Sequence, residues 1–71
     1  MTTFTIFIAE VQIQTACGYI DQHETKCVGV DEVQGAAEAI TVMTNRLNRE
    51  ACGCKVLDVL SLRPVEIVRV G

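Results

Sequence analysis

The chain has no tryptophan, a single proline and a single histidine, and aromatic residues make up only 4% of it. Its interior therefore has to be built from Val, Ile, Leu and Ala, with Phe4 and Phe7 as the large apolar rings. One histidine leaves little from which to assemble a nucleophile and its base. His23 lies in the polar stretch Asp21-Gln22-His23-Glu24, with no Ser or Cys at motif spacing. Runs of positive charge are missing as well. Lys26, Arg46, Arg49, Lys55, Arg63 and Arg69 are scattered, and nine acidic residues against six basic ones give a net charge of −3. Phosphate contacts need a basic face, so direct nucleic-acid binding is not expected; mild acidity suits plain solubility, the preferred reading, or a basic protein surface as partner. No apolar run approaches the roughly 20 residues that cross a bilayer. Phe4 to Ile8 is too short for the apolar region of a signal peptide, and a cytoplasmic location is expected. The five glycines form no phosphate-binding motif.

What is present is one well-marked helix between β-rich flanks. Asp31 stands at a capping position with Gln34 three residues on. Val33, Ala36, Ala37, Ile40, Met43, Thr44 and Leu47 then recur at helical spacing, and Gly53 sits where a left-handed terminator belongs. Gln34, Glu38, Thr41, Asn45, Asn48 and Arg49 make the polar face, with Val42 off the apolar stripe. Thr3 to Gln14 reads as a strand whose apolar phase shifts near Ile8 and Ala9, as at a bulge or in a strand covered on both faces. Thr15 to Glu24 reads as a hairpin loop, Thr25 to Val30 as a second strand and Lys55 to Leu62 as a third, apolar enough on both sides to be central. Pro64 marks either a turn into a fourth strand, Val65 to Val70, or a bulge in one long edge strand, and the turn is preferred. The expected fold is a single α+β domain over residues 1–71, in the order β-β-α-β-β, with the helix packed on a small antiparallel sheet. A chain of 71 residues gains only about 3–5 kcal/mol from its core, so a metal, a disulfide or a second subunit would add useful stability.

In that order the helix end returns to the hairpin loop, which brings Cys17, His23, Cys52 and Cys54 towards one end of the domain. Thiolate and imidazole are zinc ligands, so zinc is one reading. A disulfide from Cys17 to Cys52 or Cys54 is another. The third is that Cys27 and Cys52 are small buried apolar side chains and the remaining cysteines semi-exposed thiols. The spacing favours this third reading, since neither Cys17 with Cys27 nor Cys52-Gly-Cys54 is a zinc knuckle. Redox catalysis is not expected, because Cys52 and Cys54 follow the helix C-terminus, where the dipole disfavours a thiolate. Glu10, Asp58 and Glu66 alternate with apolar residues and belong on the wet side of a sheet. Tyr19 is either a partner anchor or a lid on the open end of the core.

By elimination the chain is expected to be a non-catalytic interaction protein. Its partner contacts would come from Tyr19 in the loop, from Glu38, Asn45 and Arg49 on the helix, or from an uncovered sheet face. The opening Met1-Thr2-Thr3-Phe4-Thr5, the stretch Ile6-Phe7-Ile8-Ala9-Glu10-Val11-Gln12, and Val30 to Ala39 with its helical Glu38-Ala39 give a layout that resembles small phage-encoded anti-CRISPR proteins, in particular inhibitors of type I systems. The likeness covers most of the chain in architecture and size, and carries over no functional residue. It implies an inhibitor that acts in the bacterial host cytoplasm. Such a protein would bind a Cas subunit of the surveillance complex, on its basic crRNA- or DNA-binding surface, and so block target DNA. Two other readings are a small zinc- or disulfide-stabilised interaction module and a homodimer joined through sheet edges or an uncovered face.

Overall fold

The computed structural model describes residues 2–50 and 53–71. Its elements are β1 (Thr2–Gln14), β2 (Ile20–Gly29), the helix α1 (Glu32–Glu50) and β3 (Lys55–Val70). The strands form one antiparallel sheet in the order β2-β1-β3, and the helix covers one face. The fold is thus α+β, with the expected hairpin feeding the expected helix.

Several boundaries differ from the sequence reading. The hairpin loop is only Thr15 to Tyr19, because Gln14 already pairs with Ile20. Gly18, at φ 91°, turns the chain, and the Thr15 amide and hydroxyl both bond to Tyr19. Asp21 to Glu24 belong to β2, where main-chain pairing overrides their turn-forming side chains. Among the described residues no fourth strand forms. Val65 to Val70 continue β3, and Pro64 sits within it beside a bulge, a place an edge strand tolerates because its outer side needs no donor. β3 is an edge strand, and β1 is the central one. The irregularity expected near Ile8 and Ala9 is absent from the β1–β2 ladder. The extra residues lie in β3, where Leu57, Leu60 and Val65 are skipped by the pairing, so that 16 residues run beside the 13 of β1.

Phe7, Ala9, Val11 and Ile13 of β1 point towards the helix and are buried, together with Cys27 of β2 and Ala39, Met43 and Leu47 of α1. Val56, Val59 and Leu62 of β3 pack against this cluster and remain half-buried. The helix begins with the cap the sequence announces. Asp31 Oδ1 accepts from the Gln34 amide at 2.8 Å, and Gln34 Oε1 accepts from the Val30 amide at 2.7 Å. Such a cap contributes about 1 kcal/mol. Thr25, the one polar residue buried among those described, accepts from Arg46 Nη2 at 3.3 Å and so ties β2 to the helix.

The face that α1 presents is rotated from the expected one. Gly35, Ala39, Met43 and Leu47 form the buried seam. Val33 is 80% exposed, Ile40 is 43% exposed, and Ala37 and Thr44 are also exposed. Two glycines explain the rotation. A Cβ on Gly29 would fall 2.5 Å from the Gly35 nitrogen, and one on Gly35 would fall 2.8 Å from the Phe7 ring. The first turn of the helix therefore rests backbone-to-backbone on the end of β2, which a bulky seam would prevent. Closest approach selects the smallest residues, and the larger apolar residues are displaced to the flank that faces β3.

Candidate functional site

The helix covers one face of the sheet, and the other face is open. Cross-strand pairing places Phe4, Ile6, Ile8, Glu10, Gln12 and Gln14 of β1 on that open face. Val28, Lys26, Glu24, Gln22 and Ile20 of β2 lie opposite Ile6 through Gln14. On the β3 side, Val68, Glu66, Arg63, Ser61, Asp58 and Lys55 lie opposite Phe4, Ile6, Ile8, Glu10, Gln12 and Gln14. Phe4, Ile6, Ile8, Val28 and Val68 gather towards one end of the face, interleaved with Lys26, Arg63 and Glu66, and the other end is polar apart from Ile20. Glu10 and Glu24 are direct cross-strand partners on it. Like charges in that position lower stability; the register that buries Ala9, Val11, Thr25 and Cys27 on the helix side imposes the pairing, with Lys26 and Arg63 diagonal to Glu10.

A second uncovered apolar surface lies on the helix side. Between α1 and β3 runs an open groove of about 470 Å³, lined by Glu32, Val33, Ala36, Ile40 and residues 58–62. No residue of β3 is buried, although it is the longest strand.

Among the described residues the predicted site residues do not assemble into one centre. Cys17 is an exposed free thiol in the hairpin turn. His23 lies further along β2, opposite Val11, with its Nε2 3.3 Å from Asp21 Oδ2. Cys54 is half-buried against the core. Cys52, the remaining candidate, lies outside the described residues. The hairpin loop and the helix end do meet, since a Cβ on Gly53 would touch that of Ala16 at 3.2 Å. Among the described residues no group of three or more His, Cys, Asp or Glu side chains is placed to share a metal ion.

Tyr19 is 74% exposed, so it is no lid on the core. Asn45 and Arg49 border a shallow depression with Val42 and Asn48. Glu38 is exposed on the same helix, near enough to Cys27 to act on its thiol. These helix residues belong to the layer opposite the open sheet face, so a single flat partner does not contact both. The sequence reading missed Glu24, which it placed in a loop, and it assigned Val33 and Ile40 to the core. The alternation of Phe4, Ile6 and Ile8 with buried neighbours was the available signal for a second apolar face.

Cys27 is buried among apolar atoms, and its thiol pKa is raised above the ordinary 9.0, first by that burial and second by the Glu38 carboxylate. The unfolded thiol loses its proton at lower pH than the folded one. The resulting contribution to stability is complete below about pH 9 and is lost as pH rises through the folded-state pKa. Thermal melts of the wild type should therefore fall more steeply above about pH 9 than those of Cys27→Ala. A thiol reagent should label Cys17 at once and Cys27 only on unfolding. Parallel alkaline slopes, or prompt labelling of Cys27, would contradict the buried placement.

Compared with known protein families, curated proteins and solved structures, the chain has no match. Among the described residues no helix is long and apolar enough to cross a membrane.

Proposed function

We propose that this chain is a non-catalytic protein-binding inhibitor that docks the open face of its sheet onto a basic protein surface. One observation supports the reading above the others: an apolar cluster, Ile6, Ile8 and Val28, stands beside Glu10 and Glu24, two carboxylates held opposite each other at a cost to the free chain. An apolar patch with a charged border is the composition of a docking face, and a cationic partner would turn the repulsion into attraction. The architectural resemblance to anti-CRISPR proteins gives the partner its class. It is a Cas subunit of a type I surveillance complex, met in the bacterial cytoplasm and covered where it holds crRNA or target DNA.

The test is capture from a bacterial lysate and with purified surveillance complexes, followed by mass spectrometry, using the wild type and Glu24→Lys. The wild type is expected to retain a Cas subunit. Glu24→Lys should lose that subunit, yet melt at the same or a slightly higher temperature, because it replaces a repulsive pair with an attractive one worth about 0.2–1 kcal/mol. Failure to enrich a Cas subunit removes the inhibitor reading. Capture that Glu24→Lys leaves unchanged removes the open face as the docking surface.

A further inference from the structure

The outer edge of β3 raises a separate question. β3 has 16 residues, none buried, and carries exposed Leu57, Leu60, Val65 and Ile67. A long apolar edge of this kind is an invitation to pairing unless its side chains forbid it. In the segment Lys55-Val56-Leu57-Asp58-Val59-Leu60-Ser61-Leu62-Arg63-Pro64-Val65-Glu66, the charges invert about the point between Leu60 and Ser61.

We propose that β3 is the interface of a homodimer, in which it pairs antiparallel with β3 of a second copy about a two-fold axis between Leu60 and Ser61. That register sets Lys55 across from Glu66, and Asp58 across from Arg63. It sets Val59 across from Leu62, Val56 from Val65 and Leu57 from Pro64. Every charged residue of the segment meets its opposite. A slip of one residue in either direction sets all of them against uncharged side chains, so the charges choose the register as well as the partner.

The bulges make this register possible. In a regular strand Asp58 and Arg63 point to opposite faces, as do Val59 and Leu62. The pairing of β3 with β1 puts Lys55, Asp58, Arg63 and Glu66 together on the open face, opposite Gln14, Gln12, Ile8 and Ile6. It puts Val59 and Leu62 together on the helix face, opposite Val11 and Ala9. Leu60, the bulged residue between them, supplies the change of phase. Each charge therefore faces its counterpart on the same side of the joined sheet. Bulges and Pro64 also remove ladder bonds, so the seam is specified by side chains more than by main chain.

The groove between α1 and β3 supports the same axis. Its strand side is residues 58–62, centred where the two-fold axis falls, and its helix side carries the displaced Val33 and Ile40. An axis perpendicular to the sheet keeps both helices on one face of a six-stranded sheet. The two grooves then open onto the same seam, where Leu57 and Leu60 of each copy leave water. The opposite face of that sheet would carry two copies of the Glu10–Glu24 surface, available to a partner.

Sedimentation equilibrium of the purified chain, without any partner, tests the interface apart from the function. The wild type is expected to be a dimer of the 7.8 kDa chain at micromolar concentration. Asp58→Arg and Arg63→Asp, both exposed, should each fold with an unchanged circular-dichroism spectrum but dissociate at concentrations on the order of tenfold higher, since each turns two attractive pairs repulsive. Mixing the two variants should restore association, because every Arg then faces an Asp in the heterodimer. A wild type that stays monomeric at 100 µM overturns the proposal. So does a dimer that neither variant weakens, which would place the contact on another surface. A monomer that still captures a Cas subunit would separate the failure of this interface from the failure of the inhibitor reading.

Discussion

Gly29→Ala is expected to lower the melting temperature on the order of 10–20 °C, more than alanine at Gly18, Gly35 or Gly53. The added Cβ would lie 2.5 Å from the Gly35 nitrogen, 2.9 Å from the Gly35 Cα and 3.0 Å from the Gln34 carbonyl carbon. All three are backbone atoms of the first helical turn, and none can rotate aside. Relief requires lifting the start of α1 off β2, which also loosens the contact between Gly35 and the Phe7 ring. Overpacking of this kind costs about 1–3 kcal/mol, and each kcal/mol moves the midpoint of a domain this size by about 4–8 °C. Gly35→Ala is the informative comparison. Its Cβ would meet Phe7 Cδ2 and Cε2 at 2.8 Å. A ring gives way more readily than a backbone, and alanine recovers about 1 kcal/mol of helix propensity. Gly35→Ala should therefore melt above Gly29→Ala. A Gly29→Ala variant as stable as the wild type would mean that the helix is not seated on the strand.

Met43→Ala is expected to leave the chain largely unfolded at 25 °C. Met43 is fully buried at the centre of the helix seam, facing the core formed by Phe7, Ala9, Val11 and Ile13. Truncating such a side chain costs about 2–5 kcal/mol, against a core contribution of about 3–5 kcal/mol in a domain of this length. Met43→Leu conserves volume and should stay within about 1.5 kcal/mol of the wild type. Val33→Ala, in the same predicted apolar stripe, is the control. Val33 is exposed, and its truncation should change stability by no more than about 0.5 kcal/mol. Denaturant titrations would separate the two rotations of the helix. Equal losses for Met43→Ala and Val33→Ala would return the buried face to the one its periodicity suggests.

The contrast between Met43 and Val33 marks how far the sequence was legible. Asp31 and Gln34 announce the start of the helix by local hydrogen bonds, and those bonds form. Gly53 adopts the positive φ expected of it, 70°. The alternation from Phe4 to Ile13 correctly marks a strand. Periodicity does not say which stripe of a helix rich in alanine will dock, because several stripes are apolar enough. That was decided by the glycine of another element, Gly29, against which only Gly35 fits at the first turn. The metal candidates were drawn from residue types and from the end of the domain to which the expected element order assigns them. Type does not bring Cys17, on a hairpin turn, to His23, further along a strand.

The sequence by itself determined the elements that depend on near neighbours along the chain. These are the capped helix, the hairpin, the apolar strands and the α+β class. Only the tertiary structure decided that β1 is central and β3 an edge, that Pro64 lies within a strand, and that Val33 and Ile40 face outward. It also decided that Glu10 meets Glu24 on an uncovered face. The physical reason is that a strand's sequence records which of its sides is apolar, while its place in the sheet depends on hydrogen bonds to residues far away in the chain. Likewise, a helix's sequence records its stripes, while the choice among them depends on how closely another backbone lets it approach.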